Sequence, residues 1–154
     1  MIKRFIIDVD GCLNDGMIYW GVDGKPFKAF GNYDHDGLKL LRNYIDIKFI
    51  TADVAGWSIT ESRIVEHMKF PLHLVKEADR KGWILGWGDG TAFMGDGPHD
   101  ALIFPLVDIS IAPAQAWDSA IAAADYVTDR EGGKGAVMDA CVYLLDKLGV
   151  DHEF

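Results

Sequence analysis

Apolar residues fall in short blocks that alternate with stretches of helical period along most of the chain. Phe5-Ile6-Ile7 is an unbroken apolar run that stops at Asp8-Val9-Asp10-Gly11. A run without polar alternation predicts a strand covered on both faces. Similar blocks over 45–50, 71–75, 91–94 and 107–112 predict four further strands, with Tyr126-Val127-Thr128 as a short edge strand. Between them, spacings of three and four predict helices. Leu38, Leu41 and Tyr44 share a face of the first, and Ile64, Val65 and Met68 of the second, which a capping-box spacing at Ser58-Ile59-Thr60-Glu61 starts. Gly86, Gly88 and Gly90 keep the segment from Asp79-Arg80-Lys81 through Trp87 short. A helix over 117–124 follows, and a last one turns Ala136, Val137, Ala140, Leu144, Leu145 and Leu148 inward before Gly149 stops it. Strands alternating with helices predict an α/β three-layer sandwich around a mostly parallel, Rossmann-like sheet.

One segment breaks the alternation. Gly16 to Trp20 and Lys25 to Phe30 flank Gly21-Val22-Asp23-Gly24, two strand-like runs around an Asp-Gly turn. They predict a β-hairpin over about 16–30, placed to act as a flap over the acidic pair or as a subunit contact through Tyr19, Trp20 and Phe27. At 154 residues the chain is expected to form one domain. Its net charge of -9 argues against general affinity for nucleic acid or anionic membrane. Two cysteines, Cys12 and Cys141, are too few for a disulfide framework and suggest a reducing, cytoplasmic setting. Cys12 reads as a core filler, and His35, between two aspartates, as a solvated loop residue. The amino-terminal apolar run is broken by Asp8 and Asp10, so no signal peptide is expected there.

The chemistry gathers where the strands end. In a parallel sheet the carboxyl ends of the first, second and fourth strands converge on one edge, bringing Asp8 and Asp10, Thr51, and Asp96 with Asp100 together. Lys81 is expected to join them from the helix start between the third and fourth strands. Carboxylates so crowded repel one another, and a hard divalent cation such as Mg2+ is their natural companion. A hydroxyl and an ammonium complete the donors needed around a phosphoryl group, so the set describes phosphoryl transfer by way of an aspartyl-phosphate.

The order Asp8-Val9-Asp10-Gly11, Ile50-Thr51, Lys81 and Gly95-Asp96-Gly97-Pro98-His99-Asp100 resembles the four motifs of the haloacid dehalogenase (HAD) superfamily of phosphohydrolases. Asp15-Gly16-Met17-Ile18-Tyr19, Lys28-Ala29-Phe30, Ala124 to Thr128 and Gly132-Gly133-Lys134-Gly135-Ala136-Val137 extend the likeness to the small branch without a cap domain, typified by 3-deoxy-D-manno-octulosonate 8-phosphate phosphatases. The resemblance implies a phosphatase acting on a sugar or sugar-acid phosphate, with Asp8 as nucleophile and Asp10 as acid and then base. It further implies Mg2+ held by Asp8, the Asp10 carbonyl and Asp96, with Asp100 in support, Thr51 and Lys81 on the phosphoryl group, and a homotetramer in which neighbours help close each site. Three positions depart from the branch: Asp53 for an arginine, Tyr33 for an arginine, and Met138 for another. Cations there suit a carboxylate, so Tyr33 and Asp53 are read as selectivity positions. A second reading is a catalytically weak relative kept for oligomerisation or for a sugar-nucleotide enzyme partner; intact Asp8, Asp10, Thr51, Lys81 and Asp96 speak against it, and the lost cations and the short segment between Lys81 and Asp96 speak for it. A receiver domain is a poorer fit, because no lone aspartate ends the third strand.

Overall fold

The computed structural model describes residues 1–154. Six parallel strands form one sheet in the order β3-β2-β1-β4-β5-β6: β1 (Arg4–Asp8), β2 (Asp46–Thr51), β3 (Leu72–Leu74), β4 (Thr91–Met94), β5 (Ile109–Ala112) and β6 (Tyr126–Val127). The strand order reverses at β1, which lies between β2 and β4. Crevices for ligands form at such a switch point, outside the carboxyl ends of the strands. The register fixes what meets there. Asp8 pairs with Ile50, so Thr51 lies one residue beyond it, and Ile7 pairs with Met94, so Asp96 lies two beyond Met94.

Six helices cover the sheet: α1 (Asp34–Leu41), α2 (Trp57–Glu61), α3 (Glu77–Leu85), α4 (Pro98–Ala101), α5 (Asp118–Ala123) and α6 (Ala136–Lys147). The side-chain alternation of β1 splits the core in two. Phe5 and Ile7 pack with Leu38 and Leu41 of α1 and with Val137, Ala140, Leu144 and Leu145 of α6. Ile6 packs on the other face with Ile84 of α3, Phe93, Phe104 and Ala120. Asp8 shares the parity of Ile6 and so faces α3. Between β1 and β2 there is only the flap segment and α1, with no inserted cap domain.

Several expectations shift. The first helix begins at Asp34, inside the stretch expected as a polar loop, because the buried Asp34 carboxylate accepts the Met138 amide at 2.9 Å and joins α1 to α6. It ends before Tyr44, which is exposed. The second helix starts at Trp57 after Gly56 and not at a Ser58 cap; the Asp53 carboxylate, accepting the Gly56 amide at 3.1 Å, shapes the turn before it. It continues through a wider-turned stretch, Ser62–His67, that buries Ile64 and leaves Val65 exposed. His35 is half-buried beside the rings of His67 and Phe70. Cys12 is buried in the core as expected. The hairpin is reduced to a Gly21–Gly24 turn and one antiparallel bridge, Asn14 to Phe30. A two-stranded ribbon with no sheet behind it is marginal, and Pro26 removes one donor.

Candidate active site

The site is a loop held rigid around Asp10. After β1 the chain makes a wide turn, Val9–Leu13, in which Gly11 has φ 95°. A Cβ on Gly11 would overlap the Asp96 carboxylate, so only glycine admits Asp96 this close to the end of β1. Asn14, buried, braces the turn. Its Oδ1 accepts the amides of Gly11 and Gly16, each at 2.9 Å, and its Nδ2 donates to Asp10 Oδ1 at 2.9 Å. Gln115 ties this turn to the Gly132 loop, donating to the Gly11 carbonyl and accepting the Gly132 amide, both at 2.7 Å.

Carboxylate oxygens of Asp8, Asp96 and Asp100 lie within 4.8 Å of one another. Asp100 is engaged on both oxygens: Oδ2 accepts the amides of Asp96 and Gly97 at 3.1 and 3.0 Å, and Oδ1 accepts Arg80 at 2.7 Å. Arg80 also pairs with Asp8 at 3.2 Å. Burial raises the pKa of Asp8 well above the usual carboxylate range, against the pull of Arg80, with Asp100 and Asp96 adding to the rise. Burial and Asp100 bring Asp96 up to about 6. Arg80 contacts Asp8 and Asp100 but not Asp96, so one guanidinium does not neutralise the three carboxylates, and Asp96 with the remaining lone pairs of Asp8 can serve a hard cation.

The cation at this site corrects the sequence expectation. Lys81 is exposed and does not line the cavity, whereas Arg80 is 4% exposed and reaches Asp8 and Asp100. The helical phase accounts for it: Arg80 and Ile84, four apart, share the buried face of α3. Thr51 is fully buried, and its hydroxyl donates to Asp10 Oδ2 at 2.8 Å. It is brought to Asp10 and does not line the cavity. Tyr33 is exposed and lies in a separate groove with Tyr126, Met138 and Phe154, outside the cavity of its own chain.

The cavity itself, about 390 Å³, runs from Asp8, Asp10 and Asp96 outward between two walls. The flap supplies Met17, Ile18, Tyr19, Lys25, Phe27 and Lys28, and the opposite rim carries Glu77 and His99, 3.6 Å apart. Asp53 lines the cavity but is not a free anion: Lys25 and Lys28 approach its Oδ2 at 2.9 and 3.0 Å. Lys28 also reaches Asp10 Oδ1 at 2.8 Å. Sequence reasoning missed Arg80, Asn14, Gln115 and the partnership of Lys28 with Asp10. Of these, only Arg80 left a signal in the sequence, through its spacing from Ile84.

Topology and rim together define the class, the HAD-type phosphohydrolase fold, in which the strand at the switch point ends in an Asp-x-Asp pair. The chain is 33% identical over 158 aligned residues to the 3-deoxy-D-manno-octulosonate 8-phosphate phosphatase KdsC of Salmonella typhi, covering 94% of this chain and 79% of that protein. By this likeness the chain belongs to the KdsC family of HAD phosphatases. Solved structures agree. The cobalt-bound phosphatase of Haemophilus influenzae superposes with TM-score 0.82 at 27% identity, covering 96% of this chain and 90% of that one. A Moraxella catarrhalis phosphatase, in complex with a magnesium ion, a phosphate ion and a KDO molecule, superposes with TM-score 0.77 at 27% identity, covering 94% and 86%. No family model matches the chain.

Proposed function

We propose that the protein is a magnesium-dependent phosphatase of a small sugar or sugar-acid phosphate, working through an aspartyl-phosphate on Asp8. The observation that carries the reading is the cluster of buried Asp8 and half-buried Asp96 oxygens at the carboxyl ends of β1 and β4, with Arg80 beside Asp8. A Mg2+ ion fits this donor set: the ligands are hard oxygens, and burial with mutual repulsion disfavours their charge until a cation joins them, while Asp100 is engaged by Arg80 and two backbone amides. Asp8, the Asp10 carbonyl and Asp96 would hold it. When bound, it supplies positive charge to a phosphoryl group and to Asp8 together.

A carboxylate oxygen of Asp8 forms a bond to phosphorus as the bond from phosphorus to the substrate oxygen breaks. Asp10 gives its proton to the departing alkoxide, which leaves as the alcohol. Asp10, now a carboxylate, takes a proton from water as that water attacks phosphorus. The Asp8–phosphorus bond then breaks, releasing phosphate and restoring Asp8. Thr51 holds Asp10 through Oδ2, and Arg80 steadies Asp8 and offers charge to the phosphoryl oxygens. The flap's exposed Met17, Ile18, Trp20 and Phe27 suit burial against a neighbour, in keeping with a homotetramer. Mass measurement in solution tests that assembly.

The test of the reaction is phosphate release from p-nitrophenyl phosphate and from a sugar-phosphate panel that includes 3-deoxy-D-manno-octulosonate 8-phosphate, with magnesium or with chelator. Activity should need the metal and vanish in Asp8→Asn. Turnover that survives Asp8→Asn removes the assigned nucleophile.

A further inference from the structure

Resting on the phosphatase reading, we propose that Asp53 is a positioning residue that sets Lys28 against Asp10 and so orients the acid for the leaving group. Lys28 descends from the flap, and its side chain is only 6% exposed. An ammonium has three protons to give. Those of Lys28 have three oxygens waiting: Asp10 Oδ1 at 2.8 Å, Thr60 Oγ1 at 2.9 Å and Asp53 Oδ2 at 3.0 Å. Thr60 is itself fixed, buried and bonded to the Gly56 carbonyl at 3.2 Å. Lys28 therefore sits in a built socket, and the flap reaches the reacting groups through it.

Asp53 is the counter-charge that makes the socket possible. Two ammonium groups approach one of its oxygens, Lys25 at 2.9 Å and Lys28 at 3.0 Å, while the other oxygen takes the Gly56 amide at 3.1 Å. Burial alone would raise its pKa, but these donors hold it down to about 2. Without that carboxylate, Lys25 would lose its counter-charge and Lys28 one of the two anions and one of the three oxygens that seat it, which loosens its hold on Asp10. Asp10 Oδ1 would then keep only Asn14 as a donor. The anion at position 53 thus acts through Lys28 on Asp10, and on neutral and carboxylated sugar phosphates alike, instead of by repelling substrates that carry a carboxylate.

The experiment compares kcat/KM, which reports steps through phosphoryl transfer to Asp8, for three phosphomonoesters: p-nitrophenyl phosphate, a neutral hexose 6-phosphate and 6-phosphogluconate. Wild type is set beside Asp53→Asn, Lys28→Met, Lys28→Arg and the double variant Asp53→Asn with Lys28→Met. A misplaced acid matters where the leaving group is a poor one, so Asp53→Asn should lower both sugar phosphates about 10²-fold, largely in kcat. p-Nitrophenyl phosphate, whose leaving group needs no proton, should fall by less than about tenfold. Lys28→Met should match this pattern, the double variant should be no worse than Lys28→Met, and Lys28→Arg should recover part of the loss. Gly56→Ala is a variant that keeps every charge: a Cβ there would overlap the Asp53 carboxylate and crowd the Lys28 stem, and it should reproduce the leaving-group dependence. Equal losses on all three substrates, a change in the ratio of neutral to carboxylated sugar, or full additivity in the double variant overturns the assignment. An active wild type with any of those results sinks the role of Asp53 alone; a wild type inert on all three and on 3-deoxy-D-manno-octulosonate 8-phosphate takes the phosphatase reading down with it.

Discussion

Arg80→Met is the sharpest perturbation the site offers. The guanidinium is 4% exposed and lies 3.2 Å from Asp8 and 2.7 Å from Asp100, both buried. At an effective dielectric of about 20, Coulomb attraction at 3.2 Å is roughly 5 kcal/mol. Desolvation of the guanidinium offsets much of it, and breaking such a buried pair by removing one partner costs about 3–5 kcal/mol. Methionine keeps the stem volume, so packing changes little and the loss reports the charge. The assay is urea unfolding at pH 7.5 in chelator, repeated at saturating magnesium. In chelator Arg80→Met should lose about 3–5 kcal/mol, and the exposed Lys81→Met should stay within about 0.5 kcal/mol of wild type. Magnesium at about 100 times its dissociation constant should return roughly 2.7 kcal/mol to wild type and at least as much to Arg80→Met, whose carboxylates have no competing cation. An Arg80→Met protein as stable as wild type in chelator, or a larger loss in Lys81→Met, would refute the assignment of the site's cation.

Three further outcomes follow from other contacts. Burial raises the Asp34 carboxyl to about 6, above its unfolded value near 3.8, despite opposing backbone hydrogen bonds from Met138 and Val137. Its stabilising effect is therefore full below about pH 4 and lost as pH rises through 6, so Asp34→Asn should gain on wild type by up to about 3 kcal/mol between pH 4 and 7 in denaturant titrations. Gly11→Ala must leave φ 95° or displace Asp96; isothermal titration with magnesium should show binding weakened at least about tenfold, the low end for disturbing a metal site's support. Gln115→Leu removes both bonds between the Gly11 and Gly132 loops, and should cost about 1–2 kcal/mol in thermal unfolding while speeding amide exchange at Gly132.

The sheet was legible because its apolar blocks are local. Thr91–Met94 is read from the sequence with its observed bounds, and the inward residues of the last helix match those that pack on β1. The rim was legible as carboxylates at strand ends, since parallel register aligns those ends without further information. What escaped depends on contacts between distant segments. Asp34 looks like a loop residue until Met138, 104 positions later, supplies its amide. Lys28 and Asp10, 18 apart and joined only once the flap folds back, leave no periodic trace. The choice of Lys81 over Arg80 was an error of phase between neighbours: both are cations at the right place in the order of motifs, and only the helical repeat shared with Ile84 separates them.

The placement of β1 between β2 and β4 has a consequence for how such a chain tolerates change. The strands at the margins are the shortest, three residues in β3 and two in β6, while every carboxylate of the rim springs from the middle of the sheet or just beyond β4. Trimming, lengthening or resurfacing can proceed from the outside inward with little disturbance at the centre. Changes of length at β3 or β6 therefore fall at least two strands away from β1 and its nucleophile.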